Sequence, residues 1–194
     1  MTAETSKSLA GTLYEWLQVM AATVLTAVVV FTFGFRLIRV DGESMRETLQ
    51  DGDLLVAAVG PFRGEYRAGD ILIVARRDFR GGEPIVKRVI ALEGQTVDID
   101  FAAGTVCVDG EILTEPYIRE PTWTPEGTVF PLTVPEGCLF LMGDNRNDSE
   151  DSRSAGLGPV DRRCVIGRVV LLAVPGETAD LERREWSRAG SPGR

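Results

Sequence analysis

Histidine is missing altogether from this chain. Its absence excludes the Ser-His-Asp triad, the Cys-His pair and any zinc site that relies on imidazole. Proton transfer must therefore fall to Lys, Asp, Glu, Tyr or Cys. Lysine is nearly absent too: of 21 basic residues only Lys7 and Lys87 are lysines. Arginine stays protonated, so beyond the N-terminal segment Lys87 is the one amine able to act as a base. Acidic residues outnumber basic ones, 29 to 21. With a formal charge of -8 over 194 residues, the chain lacks the cationic footprint that phosphate contacts require, which argues against nucleic acid as a partner. Cysteine is sparse as well. Cys107, Cys138 and Cys164 are odd in number, well separated and without CxxC spacing, so no metal site can be argued from them. Each lies in an apolar stretch and reads as a small core residue, with one disulfide plus a free thiol left open for an extracytoplasmic domain.

What the chain does have is one long apolar run. From Trp16 to Phe35 it reads WLQVMAATVLTAVVVFTFGF, twenty residues without a charge, bounded by Glu15 and Arg36. That length spans a bilayer core as a helix. It exceeds the usual apolar part of a cleaved leader, and no small-residue cleavage pattern follows it, so it reads as an uncleaved anchor. Residues 1–15 then precede the anchor, 16–35 cross, 36–175 form one domain and 176–194 a polar tail, frayed or disordered. Lys7 precedes the span whereas Arg36, Arg39 and Arg46 follow it, and charge bias alone would put the C-terminal domain in the cytoplasm.

After the anchor the pattern is short β-type runs divided by turn residues, with no long helical period. Strands are expected at Asp53 to Val59, Ile71 to Ala75, Ile85 to Leu92, Thr96 to Ile99, Thr105 to Val108, Cys138 to Met142 and Val165 to Val174. The fold class is accordingly mainly β. Asp109-Gly110 supplies a hairpin turn. The segment from Glu115 to Pro135 carries five prolines and reads as a long excursion.

Three segments carry candidate chemistry. In VDGESMRETL, Ser44 follows a glycine-bearing turn that leaves its hydroxyl open, with backbone N–H groups beside it to receive an oxyanion. A serine in such a turn is usually only a turn or cap residue. In IVKRVI, strand alternation puts Ile85, Lys87 and Val89 on one face, and desolvation there would lower the lysine pKa and make a neutral amine available. A lysine reaching out from a sheet edge is the plainer reading. In GDNRNDSEDSR, directly after the apolar CLFLM, dense polar side chains suit a loop that holds other groups in place. Calcium fits it poorly, because the spacing is not that of an EF-hand and Arg146 and Arg153 would repel the ion.

Taken together the segments resemble one family, the type I signal peptidases. GESMRETLQDGD is similar to their serine box, AGDILIV to the next box, VKRVIALEGQTV to their lysine box and GDNRNDSEDSR to the last, in family order behind an N-terminal anchor. The resemblance implies a signal-peptidase-like β-rich catalytic domain at the outer face of the bacterial plasma membrane. It implies a serine endopeptidase that removes signal peptides from exported preproteins after Ala-X-Ala-like sites, without a cofactor or metal. By the same resemblance Ser44 is the nucleophile, Lys87 the general base and Ser149 the serine that hydrogen-bonds the lysine. Asp151 and Arg153 match an ion pair bracing the loop, and Val40, Met45, Leu49 and Val86 match the walls of shallow apolar pockets. Two positions depart from the family pattern: Gly42 stands where some relatives place an oxyanion-hole serine, and Glu47 where a proline is usual. A Ser/Lys self-cleaving regulator is the enzyme rival, but it would carry a DNA-binding domain where this chain has an anchor. A tethered β-domain that binds a partner without catalysis is the other.

Overall fold

The computed structural model describes residues 9–176. One helix leads into a β structure. Helix α1, Leu9–Gly34, is exposed from Gly11 to Phe33 apart from half-buried Val30, and has the length and composition of a membrane span from Gly11 to Gly34. It starts earlier than the uncharged run because a single Glu15 does not interrupt a helix. It stops one residue short of Phe35 because the sheet captures the chain: the N–H of Val59 donates to the Gly34 carbonyl at 2.8 Å, and Phe35 opens strand β1.

The strands are β1 (Phe35–Arg39), β2 (Leu54–Ala58), β3 (Ile71–Val74), β4 (Ile85–Leu92), β5 (Thr96–Asp100), β6 (Thr105–Val108), β7 (Glu111–Ile112), β8 (Leu132–Thr133), β9 (Cys138–Met142), β10 (Val160–Asp161) and β11 (Val165–Val174). They form an antiparallel seven-stranded sheet, ordered β1-β2-β11-β3-β4-β9-β10, and an antiparallel four-stranded sheet, ordered β7-β6-β5-β8. The fold is mainly β. All seven expected strands are present within a residue or so at their ends, while β1, β7, β8 and β10 are additional. The last three have two residues each, too few for alternation to register.

Three apolar clusters hold the sheets. Leu72, Val74, Ile85, Val89, Leu139 and Leu141 belong to the first, and Ile90, Ala91, Val97, Val106, Phe140 and Met142 to the second, under the smaller sheet. A register shift in the β4–β9 pairing between Val89 and Ala91 lets β4 serve both, sending Val89 to one and Ile90 with Ala91 to the other. The third joins Val40, Met45 and Leu49 to Leu55, Ala57, Ile71, Ile73 and Val169, so the loop after β1 is fastened to the large sheet. Strand β11 is core only in its first half; Val170, Leu171 and Val174 are exposed. The three cysteines are half-buried and unbridged, two of them packing at the margins of the first two clusters. The tail from 177 to 194 lies outside the described residues.

Candidate active site

Ser44 sits in a turn that its own neighbours build. Gly42 takes φ +96°, in the left-handed region that favours glycine, and its N–H donates to Asp51 Oδ1 at 2.9 Å. Arg46 N–H donates to the Glu43 carbonyl, and both Thr48 and Leu49 donate to the Met45 carbonyl. Met45 and Leu49 are each 1% exposed and plug the turn into the third cluster. The serine is thereby held at the surface by side chains that cannot leave the core. Its own N–H donates to no acceptor among the described residues, and so is free to receive one from a ligand.

Lys87 comes from the middle of β4, flanked on its face by Ile85 and Val89 of the first cluster. It is 2% exposed. Its amine donates to Ser44 Oγ at 2.6 Å and to the Val86 carbonyl at 3.1 Å. Burial pushes the amine down from 10.5 to about 8; the charge of Asp151 opposes that shift and that of Arg80 assists it. The two side chains meet in a cavity of about 360 Å³, which Gly42, Arg80, Asp148 and Ser149 also line.

The loop after β9 frames this pair. Asp151 accepts from the Gly143 N–H at 2.9 Å, from Ser149 Oγ at 3.0 Å and from the Arg153 guanidinium at 2.8 and 2.9 Å. Asp151 and Arg153 are both inaccessible to solvent, and their ion pair braces the loop. Ser149 lines the cavity, but its hydroxyl donates to Asp151; the amine's hydrogen-bond partners among the described residues are Ser44 and the Val86 carbonyl. Asn145 ties the loop to the serine turn, its N–H donating to the Ser44 carbonyl at 3.0 Å and its Nδ2 to that of Glu43 at 3.2 Å.

Val40, Met45, Leu49 and Val86 are brought together, but in the third cluster beneath the serine, and none of them lines the cavity. Several participants escaped sequence reasoning. Arg88 and Asp144 form a buried two-bond pair at 2.8 and 2.6 Å, with Thr48 donating to the same carboxylate and the Tyr117 ring under the guanidinium. Arg146 is clasped by Glu115 and Thr122. Glu126 approaches Arg153 at 3.1 Å, and burial, with Asp151 nearby, pushes its carboxyl up to about 7. These partners lie tens of residues apart, and the signal for them was only the excess of charge in a loop following a core strand.

The chain matches the family described as signal peptidase, peptidase S26, over residues 13–174. It is 37% identical over 178 residues to signal peptidase I of Bacillus licheniformis, covering 86% of this chain and 91% of that one. It is 34% identical to signal peptidase I T of Bacillus subtilis (strain 168), covering 86% and 88%. A crystal structure of a signal peptidase I from Enterococcus faecalis V583 is 33% identical and covers 53% of this chain and 95% of that chain, with a TM-score of 0.44.

Proposed function

The chain belongs to the signal peptidase family, peptidase S26, and on that premise we propose that it is a membrane-anchored serine endopeptidase that removes signal peptides with a Ser44/Lys87 dyad. The observation that carries this reading is the 2.6 Å approach of a buried amine to Ser44 Oγ in a chain without histidine. As a neutral amine Lys87 accepts the Ser44 proton while Oγ bonds to the scissile carbonyl carbon. The oxyanion takes a hydrogen bond from the Ser44 N–H, whose protein acceptors are absent among the described residues. Lys87 then gives the proton to the leaving amine as the peptide C–N bond breaks, leaving an ester on Ser44. Water attacks that ester, its proton passing to Lys87, and the amine returns it to Ser44 Oγ as the ester bond breaks and the N-terminal fragment departs with its new carboxylate.

In this reading α1 anchors the enzyme in the bacterial plasma membrane with residues 1–15 on the cytoplasmic side and the β domain outside, near the membrane-tethered preproteins it cleaves. Anchoring raises the effective concentration of such substrates. Cleavage follows small residues, of the Ala-X-Ala kind, admitted by the cavity at Ser44 and Lys87, while Val40, Met45, Leu49 and Val86 support its floor from the third cluster. Incubating detergent-solubilised protein with a preprotein tests the function. Cleavage after the small residue, absent in Ser44→Ala, supports it; cleavage that survives Ser44→Ala contradicts the proposed nucleophile.

A further inference from the structure

In a chain with net charge -8, arginines gather at one end of the large sheet. Strand register identifies that end. Phe35, Ala58 and Arg168 stand level across β1, β2 and β11, so residues after Ala58 and before Arg168 extend beyond that level, on the side where α1 joins the sheet. The 3-10 turn Gly60–Arg63 is pinned there. The ring of Phe62 lies against Gly34 at the end of α1 and 5.9 Å from the ring of Phe35, itself 5.8 Å from Phe31 of the helix. Phe62 is still half-exposed.

Beside this turn lies an open depression of about 540 Å³, bordered by Pro61, Arg63, Tyr66, Arg162 and Arg163. Arg63 donates to the carbonyls of Gly60 at 3.2 Å and Val165 at 2.5 Å, and has no carboxylate partner among the described residues. Arg162 reaches Glu93 at 3.1 Å through Nη2, while its Nε is buried without a hydrogen-bond partner. Arg163 pairs with Asp161 at 2.6 Å but leaves its side chain 90% exposed. Three guanidiniums face two carboxylates, which leaves Arg63 uncompensated and donors of Arg162 and Arg163 unspent.

We infer that this depression binds the phosphate of an anionic phospholipid headgroup at the membrane surface. Guanidinium forks match phosphate oxygens two bonds at a time, and basic side chains next to an anionic leaflet are drawn to it. Pro61 and Tyr66 border the depression, and half-exposed Phe62, next to Pro61 and in ring contact with Phe35, offers apolar surface beside it that suits a lipid and not a free phosphate. The inference rests on the reading of α1 as a membrane anchor and specifies which lipids the anchored domain recognises.

The test is equilibrium binding of a fluorescent phosphatidylglycerol to the full-length chain in neutral detergent, with competition by unlabelled phosphatidylglycerol, phosphatidylcholine and inorganic phosphate. Saturable binding displaced by phosphatidylglycerol alone is expected, weakened about tenfold in the double variant Arg162→Gln/Arg163→Gln and unchanged in Arg77→Gln, an exposed arginine of the turn after β3 that does not border the depression. Equal displacement by phosphatidylcholine, equal displacement by inorganic phosphate at the same concentration, or undiminished binding in the double variant would overturn it. Preprotein cleavage by the same preparations reports that the double variant is folded. Absence of cleavage in the wild type would count against the peptidase reading and leave the lipid result standing by itself.

Discussion

Gly143 approaches the carbonyl of Ser44 so closely that a Cβ added to it would stand 2.5 Å from that oxygen and would also collide with the Ser149 side chain. The constraint is space and not backbone conformation, since Gly143 is not among the residues with positive φ. Its N–H also donates to Asp151, so the backbone cannot retreat without releasing the carboxylate that braces the loop. Gly143→Ala should therefore move Ser44 against Lys87 and reduce kcat by about a hundredfold, because a displacement near 1 Å costs roughly that much when catalysis depends on alignment. Circular dichroism and a preprotein cleavage assay on one preparation check this. Wild-type turnover would show that the loop yields freely.

Glu47 adopts φ +84°, a left-handed conformation that costs a residue with a Cβ about 1–2 kcal/mol. A proline, usual in the serine box of the family, cannot reach that angle because its ring holds φ near −65°. This departure from the family pattern thus has a structural counterpart. Glu47→Gly should stabilise the domain by about 0.5–1 kcal/mol after allowing for the extra freedom of glycine when unfolded, and Glu47→Pro should destabilise it. Denaturant midpoints of the three proteins decide between these outcomes and the reverse order.

Lys87 is held at a cost that depends on pH. Its folded pKa, about 8, lies below its ordinary 10.5, so between those values the unfolded chain binds more protons and stability rises with pH. Below pH 8 the full penalty is present, about 3 kcal/mol at 1.36 kcal/mol per unit. Lys87→Met, which keeps the bulk without the charge, should be more stable than wild type at pH 7 by up to that amount, and the gap should close toward pH 10. Urea titrations across that range test the sign; a constant gap would mean that the lysine is not desolvated.

The apolar helix and the major strands were legible in the sequence for physical reasons, and the meeting of Ser44 with Lys87 was expected from the family resemblance. A twenty-residue uncharged run, alternation over four or more residues, and a single lysine downstream of the span are local signals. The frame around the dyad was not local. Arg88 pairs with Asp144 and Arg146 with Glu115 across separations that only the folded sheets close. Ser149 was expected to bond the lysine, and in the structure its hydroxyl donates to Asp151, a choice of partner that residue identity does not encode. Val40, Met45 and Leu49 read equally well as pocket walls or as core, and their burial beneath the serine turn emerges only with the packing of the third cluster.

The pH dependence of kcat/KM for preprotein cleavage tests the central claim most directly, because that quantity reports ionisation of the free enzyme. With Ser44→Ala as the blank, wild-type activity should rise with a midpoint near pH 8, where the Lys87 amine loses its proton. Lys87→Arg, which keeps the charge and cannot deprotonate in this range, should be inactive throughout. A wild-type profile flat through pH 8, or a Lys87→Arg enzyme that cleaves at the wild-type rate, would contradict the Ser/Lys mechanism.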